Sequence, residues 1–161
     1  MTTQIANGSE PHVSDRRGWG ARILLFLVGC NLVSVLAVLP WNHFAVEVEG
    51  IPDFVVDRTG VQSPDASMGI AALVLAAGLA LWAAAGQVGR GAWADVVRRF
   101  DRVVPPVAAL ATLALLVLKA TVRSEFLGTG AWVALVLAVV LVLSALQLRR
   151  AGHPHAVVAS K

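Results

Sequence analysis

FLGTGAWVALVLAVVLVLSALQLRR, residues 126–150, decides what kind of protein this is. The 23 residues from Phe126 to Leu148 carry no charge, and Arg149 and Arg150 end the run. As a helix at 1.5 Å per residue the run extends about 34 Å, enough to cross the roughly 30 Å hydrocarbon core of a bilayer. Three further charge-free blocks precede it: Ile23 to Trp41, Ala66 to Gly89, and Val103 to Leu118. The third reaches spanning length only when Lys119 and its neighbours are included. A chain of 161 residues that is 57% hydrophobic and 14% charged cannot bury so much apolar surface in one small soluble core, so the bilayer is its solvent.

These blocks predict an all-α membrane protein, a four-transmembrane-helix bundle with spans at about 21–41, 66–89, 104–122 and 127–148. Residues 1–19 read as a flexible cytoplasmic N-terminal tail, 20–150 as the four-helix domain and 151–161 as a cytoplasmic C-terminal tail. Orientation follows from charge. Arg16, Arg17, Arg22, Arg90, Arg98, Arg99, Arg102, Arg149, Arg150 and Lys161 fall on one side, ten of the thirteen basic residues. Arg58, Lys119 and Arg123 fall on the other, together with Glu47, Glu49, Asp53, Asp57, Asp65 and Glu125. The positive-inside rule then places both termini in the cytoplasm of a multi-pass protein of the cell membrane. Because the basic residues flank apolar spans, they read as topology signals and headgroup contacts, and no nucleic-acid partner is expected. Trp19, Trp41, Trp93 and Trp132 lie near span ends, where an amphipathic ring favours the interface; Trp82 lies deeper and calls for a packing partner.

The connectors differ in content. Pro40 ends the first span, and the outer loop 42–65 is long for a mere link. Within it Ala45-Val46-Glu47-Val48-Glu49 alternates apolar with acidic residues and Phe54-Val55-Val56 is β-prone, predicting one or two short strands in a small extracytoplasmic cap. In the inner linker 91–103, Trp93, Val96, Val97, Phe100 and Val103 recur at helical spacing between charged positions, predicting a short amphipathic helix on the membrane surface. Pro105-Pro106 marks the start of the third span, since proline is tolerated in a first helical turn. The second span repeats small residues at Ala72, Ala76, Ala80 and Ala84, which predicts close helix packing.

Candidate sites are few. Cys30 is the sole cysteine, so no internal disulfide or thiolate metal cage can form. Leu27-Val28-Gly29-Cys30 resembles a lipoprotein cleavage box, but the apolar run continues to Leu39, which favours a retained helix. Asn31 is the most polar side chain within a span, and a buried amide there either joins helices by hydrogen bonding or contacts a ligand. Lys119 lies near the outer end of its span, where snorkelling to the headgroups is the simpler reading and a buried functional lysine the alternative. Glu47, Glu49, Asp53 and Asp57, with Trp93 and Phe100, form the expected partner-contact surfaces. His43, and the pair His153 and His155, lack the further ligands a metal or haem site requires. No cofactor is expected. All four spans lack Asp and Glu, and no Walker loop, HExxH helix or GxSxG elbow occurs, which argues against a proton-coupled exporter and against an enzyme.

A first helix ending in Leu39-Pro40-Trp41, a β-prone loop with Gly50 and Gly60, an Ala/Leu-rich second helix, and Gly128-Thr129-Gly130-Ala131-Trp132 opening a helix that closes on Arg149-Arg150 form a recognisable order. Over roughly residues 20 to 150 this layout resembles small four-helix integral membrane proteins of actinobacteria. The resemblance implies a cell-membrane location and supplies no catalytic residue. The expected function is therefore non-enzymatic: contact with a membrane-protein partner or with itself, as an accessory subunit or a cell-envelope scaffold. The alternative is a small transporter or lipid-binding protein using the bundle interior around Asn31. An enzyme acting on lipid headgroups through the acidic loop stands third.

Overall fold

The computed structural model describes residues 13–48, 51–62, 65–88, 92–122 and 127–151. In chain order they form α1 (Val13–Val38), β1 (Pro40–Val48), β2 (Ile51–Thr59), α2 (Ala66–Val88), α3 (Ala92–Phe100), α4 (Val104–Val122) and α5 (Thr129–Ala151). Four helical stretches are long and apolar enough to cross a membrane: Gly18–Val38, Ala66–Val88, Val104–Val122 and Thr129–Ala151. The described residues thus form an all-α, four-span bundle carrying one small two-stranded sheet.

The four long helices form a ring in which α1 packs on α2 and α5, and α4 packs on α2 and α5. Successive spans alternate in direction, so the β-hairpin lies at one end of the bundle and α3 at the other. At the α3 end, a Cβ on Gly18 would lie 4.0 Å from Ala151, joining the first turns of α1 in the span to the last turn of α5.

What packs the ring is a heptad-like seam of small and branched residues on every helix. On α1 the inward positions are Arg22, Leu25, Gly29, Leu32 and Leu36; on α2 Gly69, Ala72, Ala76, Leu79, Ala83 and Gly86. On α4 they are Pro105, Ala109, Thr112, Leu116 and Lys119; on α5 Ala131, Ala134, Ala138, Leu141, Ala145 and Leu148. Alternating steps of three and four residues keep one face turned to the neighbours, as in left-handed helix packing, and the small side chains let the backbones approach closely. The two buried hydroxyls of this core are satisfied within their own helices, Thr112 Oγ1 donating to the Ala108 carbonyl (2.8 Å) and Ser144 Oγ to that of Val140 (2.7 Å). In a lipid-surrounded core such internal partners are the ones available.

α2, α4 and α5 lie close to the sequence-derived bounds, and Pro105-Pro106 occupies the first turn of α4. α1 differs at both ends. It begins at Val13, within the segment read as a flexible tail, because adding turns to an existing helix fixes fewer dihedrals per hydrogen bond than starting one. It ends at Val38 and not at Trp41, because the chain turns directly into a strand at Pro40, a position where proline is tolerated. Residues 1–12 and 152–161, including His153 and His155, lie outside the described residues.

Candidate functional site

Buried polar side chains gather at the two ends of the bundle. At the α3 end, Arg22 of α1 forms an ion pair with Asp101, which sits in the turn between α3 and α4. Trp82 Nε1 of α2 donates to the other carboxylate oxygen of Asp101 at 2.9 Å. Two helices, α1 and α2, thereby converge on a carboxylate carried by the α3–α4 turn, and both charged side chains are only 11% exposed. The space for the guanidinium comes from Gly86: a Cβ there would collide with the Arg22 head and lie 3.3 Å from Val97 Cγ1. Among the described side chains of α3, Val97 is the buried one, while Val96 and Phe100 of α3 and Val103 of the following turn are exposed. Arg22 Nη1 has no hydrogen-bond partner although buried. The cluster therefore ties the amphipathic linker to the membrane-embedded core through a charge-assisted contact.

At the hairpin end, strand pairing runs from Pro40↔Thr59 and Asn42↔Arg58 out to Val48↔Ile51, with an irregularity around Trp41. A bulge re-aims the side chain it contains. Trp41 is 2% exposed, its carbonyl accepts from the Gly128 N–H at 2.6 Å, and Asn42 forms a single bridge to Leu127. These contacts fasten the hairpin root to the entry of α5. Lys119 Nζ lies 5.6 Å from the Trp41 ring centroid and donates to the Asp65 carbonyl at 3.0 Å. Asp65 itself adopts a left-handed backbone (φ 64°) at the start of α2, a conformation that suits Asp better than most residues. Lys119 is 3% exposed. The snorkelling reading is thus overturned: the ammonium turns inward because a ring face and a carbonyl meet it there.

Asn31 is likewise corrected. It lies on the outer, lipid-facing side of α1, its Nδ2 donating to the Leu27 carbonyl of its own helix at 2.8 Å, and so lines neither the bundle interior nor a ligand path. Trp82 has the packing partner its depth called for, in Asp101. Trp41, expected at the interface, is instead buried at the hairpin root, whereas Trp19 and Trp132 are exposed. Asp57 is exposed on β2 opposite His43, and Phe100 is exposed on α3. Glu49 and the side chains of Glu47, Asp53 and Trp93 lie outside the described residues, so the acidic contact surface is assembled here only in part. Among the described residues no group of three His, Cys, Asp or Glu side chains is placed to hold a metal ion.

Charge counting on its own missed Arg22 and Asp101. By its charge Arg22 counts as a flank, yet it falls in phase with Leu25, Gly29, Leu32 and Leu36, and Lys119 in phase with Pro105, Ala109, Thr112 and Leu116. That phase was the available signal that both cations point inward.

Four apolar spans and their polar end closures define a multi-pass helical membrane protein. No protein-family model, curated protein or solved structure matches the chain.

Proposed function

We propose that this protein works without catalysis, as a contact-forming subunit or scaffold of the cell membrane, with both termini and α3 in the cytoplasm and the hairpin outside. The observation that carries this reading is the use to which embedded charge is put. Arg22 is engaged by Asp101, and Lys119 by the Asp65 carbonyl and the Trp41 ring, so both close the ends of a small-residue core. In the sequence, ten of the thirteen basic residues lie before the first span, between the second and third, or after the fourth, which supports the orientation. The contact surfaces in this reading are the hairpin, the outward face of α3 with Phe100, and the lipid-facing sides of the spans.

Crosslinking in native membranes, followed by pull-down through a tag on the C-terminal tail and mass spectrometry, tests this reading. A reproducible stoichiometric partner, another protein or a second copy, is the expected result. Recovery of a lone chain carrying a tightly held lipid or solute would replace it with the transporter or lipid-binding reading.

A further inference from the structure

The lipid-facing side of α1 differs from that of the other spans. Away from the five residues at each end, the outward positions of α2, α4 and α5 are aliphatic or glycine: Ala71, Val74, Gly78 and Leu81; Leu110, Ala114 and Val117; Val136, Val139 and Leu143. α1 instead presents Cys30 and Asn31, with Ser34 a turn further on. Asn31 lies three residues from Val28, the midpoint of the span, which is about 4.5 Å along the axis. Its bond to the Leu27 carbonyl uses one amide N–H and leaves the amide oxygen and the second N–H without a protein partner at a depth where water is absent. Asn31 is also flanked in phase: Gly20, Leu24, Leu27, Asn31, Ser34 and Val38 are all exposed and follow steps of four and three. They form a second seam on the side of α1 opposite its core seam.

We infer that this stripe is the contact between two copies of the chain, packed as a parallel α1 pair about a two-fold axis with the Asn31 amides bonded to each other. The occupant follows from the chemistry. A carboxamide is both donor and acceptor and is therefore complementary to itself, and a parallel two-fold brings it against its own copy at the same depth. A single Asn within a largely apolar heptad seam is also the device that fixes register and pairing between two helices. Gly20 and Ser34 permit close approach toward the two ends of the seam. This inference rests on the reading that the chain acts through contacts, and it names one of them.

The test uses the full chain in native membranes with Cys30→Ala as background. Single cysteines are placed on the stripe (Leu24→Cys, Leu27→Cys, Ser34→Cys) and on the outer faces of the other spans (Val74→Cys, Leu110→Cys, Val136→Cys), and disulfide dimers are scored after oxidation. Dimers of this chain from the stripe positions alone are expected. Adding Asn31→Leu is expected to weaken dimerisation about tenfold, and Asn31→Gln to retain most of it. Thermal melting of the Asn31→Leu monomer in detergent is expected to match that of the parent, since the side chain faces outward. Equal crosslinking from every outer face, or an unchanged dimer yield in Asn31→Leu, overturns the inference. Crosslinks from the stripe to a different protein also overturn it while leaving the contact reading intact. A lone chain that crosslinks from no face and brings down no partner overturns both.

Discussion

Asp101→Ala removes in one step the carboxylate that accepts from both Arg22 and the Trp82 indole. Arg22 then keeps its charge in a site where its side chain is 11% exposed and where Nη1 already lacks a partner. Removing one member of a buried pair costs about 3–5 kcal/mol. Arg22 lies near the end of its span, and part of this loss is recovered if its long side chain swings toward the headgroups, so the lower value, about 3 kcal/mol, is expected. Arg22→Met should cost somewhat less, about 2 kcal/mol, because the remaining carboxylate retains the Trp82 bond. The double variant Arg22→Met/Asp101→Ala leaves no unpaired charge. Its loss is expected to fall short of the sum by about 1–3 kcal/mol, the coupling typical of charges in direct contact. Equilibrium unfolding in mixed micelles, followed by tryptophan emission, measures all three variants. Additivity within about 0.5 kcal/mol would refute the pairing and with it the tethering of α3 to the core.

Two further comparisons probe the packing. A Cβ on Gly69 would strike the Gly60 carbonyl, a backbone atom that cannot rotate away, and Gly69→Ala is expected to lose about 2 kcal/mol or more. Gly78→Ala on the same helix meets nothing within 4 Å and is expected to gain up to about 1 kcal/mol from helix propensity. Thermal melts of the two variants check the sign of each. At the hairpin root, Trp41→Ala is expected to lose about 3–5 kcal/mol through the cavity it opens. Lys119→Met should cost less, about 2 kcal/mol, since it removes a buried charge together with its bond to the Asp65 carbonyl, the attraction of the Asp65 side chain and the contact with the Trp41 ring. Equal losses in the same melts would contradict the arrangement.

Much of the fold was legible because a bilayer imposes length on any helix that crosses it. The charge-free runs gave four spans, Pro105-Pro106 marked the start of α4, and the spacing of Val96, Val97 and Phe100 predicted α3. The strand starting at Pro40 was not legible, because Trp41-Asn42-His43 carries no alternation of its own and is ordered by pairing with β2. Side-chain direction was harder still. Arg22 and Lys119 were assigned by the sign of their charge and their nearness to a span end, when their helical phase already set them on the core seam. An amide in lipid seeks an interhelical hydrogen bond, which points Asn31 inward, although it falls in phase with Leu24, Leu27 and Val38 on the outer face. The partnership of Arg22 with Asp101, 79 residues away, belongs to tertiary structure and left no local trace.

Which way α1 faces decides both the inward Arg22 contact and the outward Asn31 stripe, and it can be read directly. Spin labels placed singly from position 22 to position 36, in a Cys30→Ala background at one copy per lipid nanodisc, report contact with dissolved oxygen in the bilayer. High oxygen accessibility at positions 24, 27, 31 and 34, with minima at 22, 25, 29, 32 and 36, is the predicted pattern. The opposite phase, with position 31 shielded and positions 25 and 32 in lipid, would contradict the account and return Asn31 to the interior of the bundle.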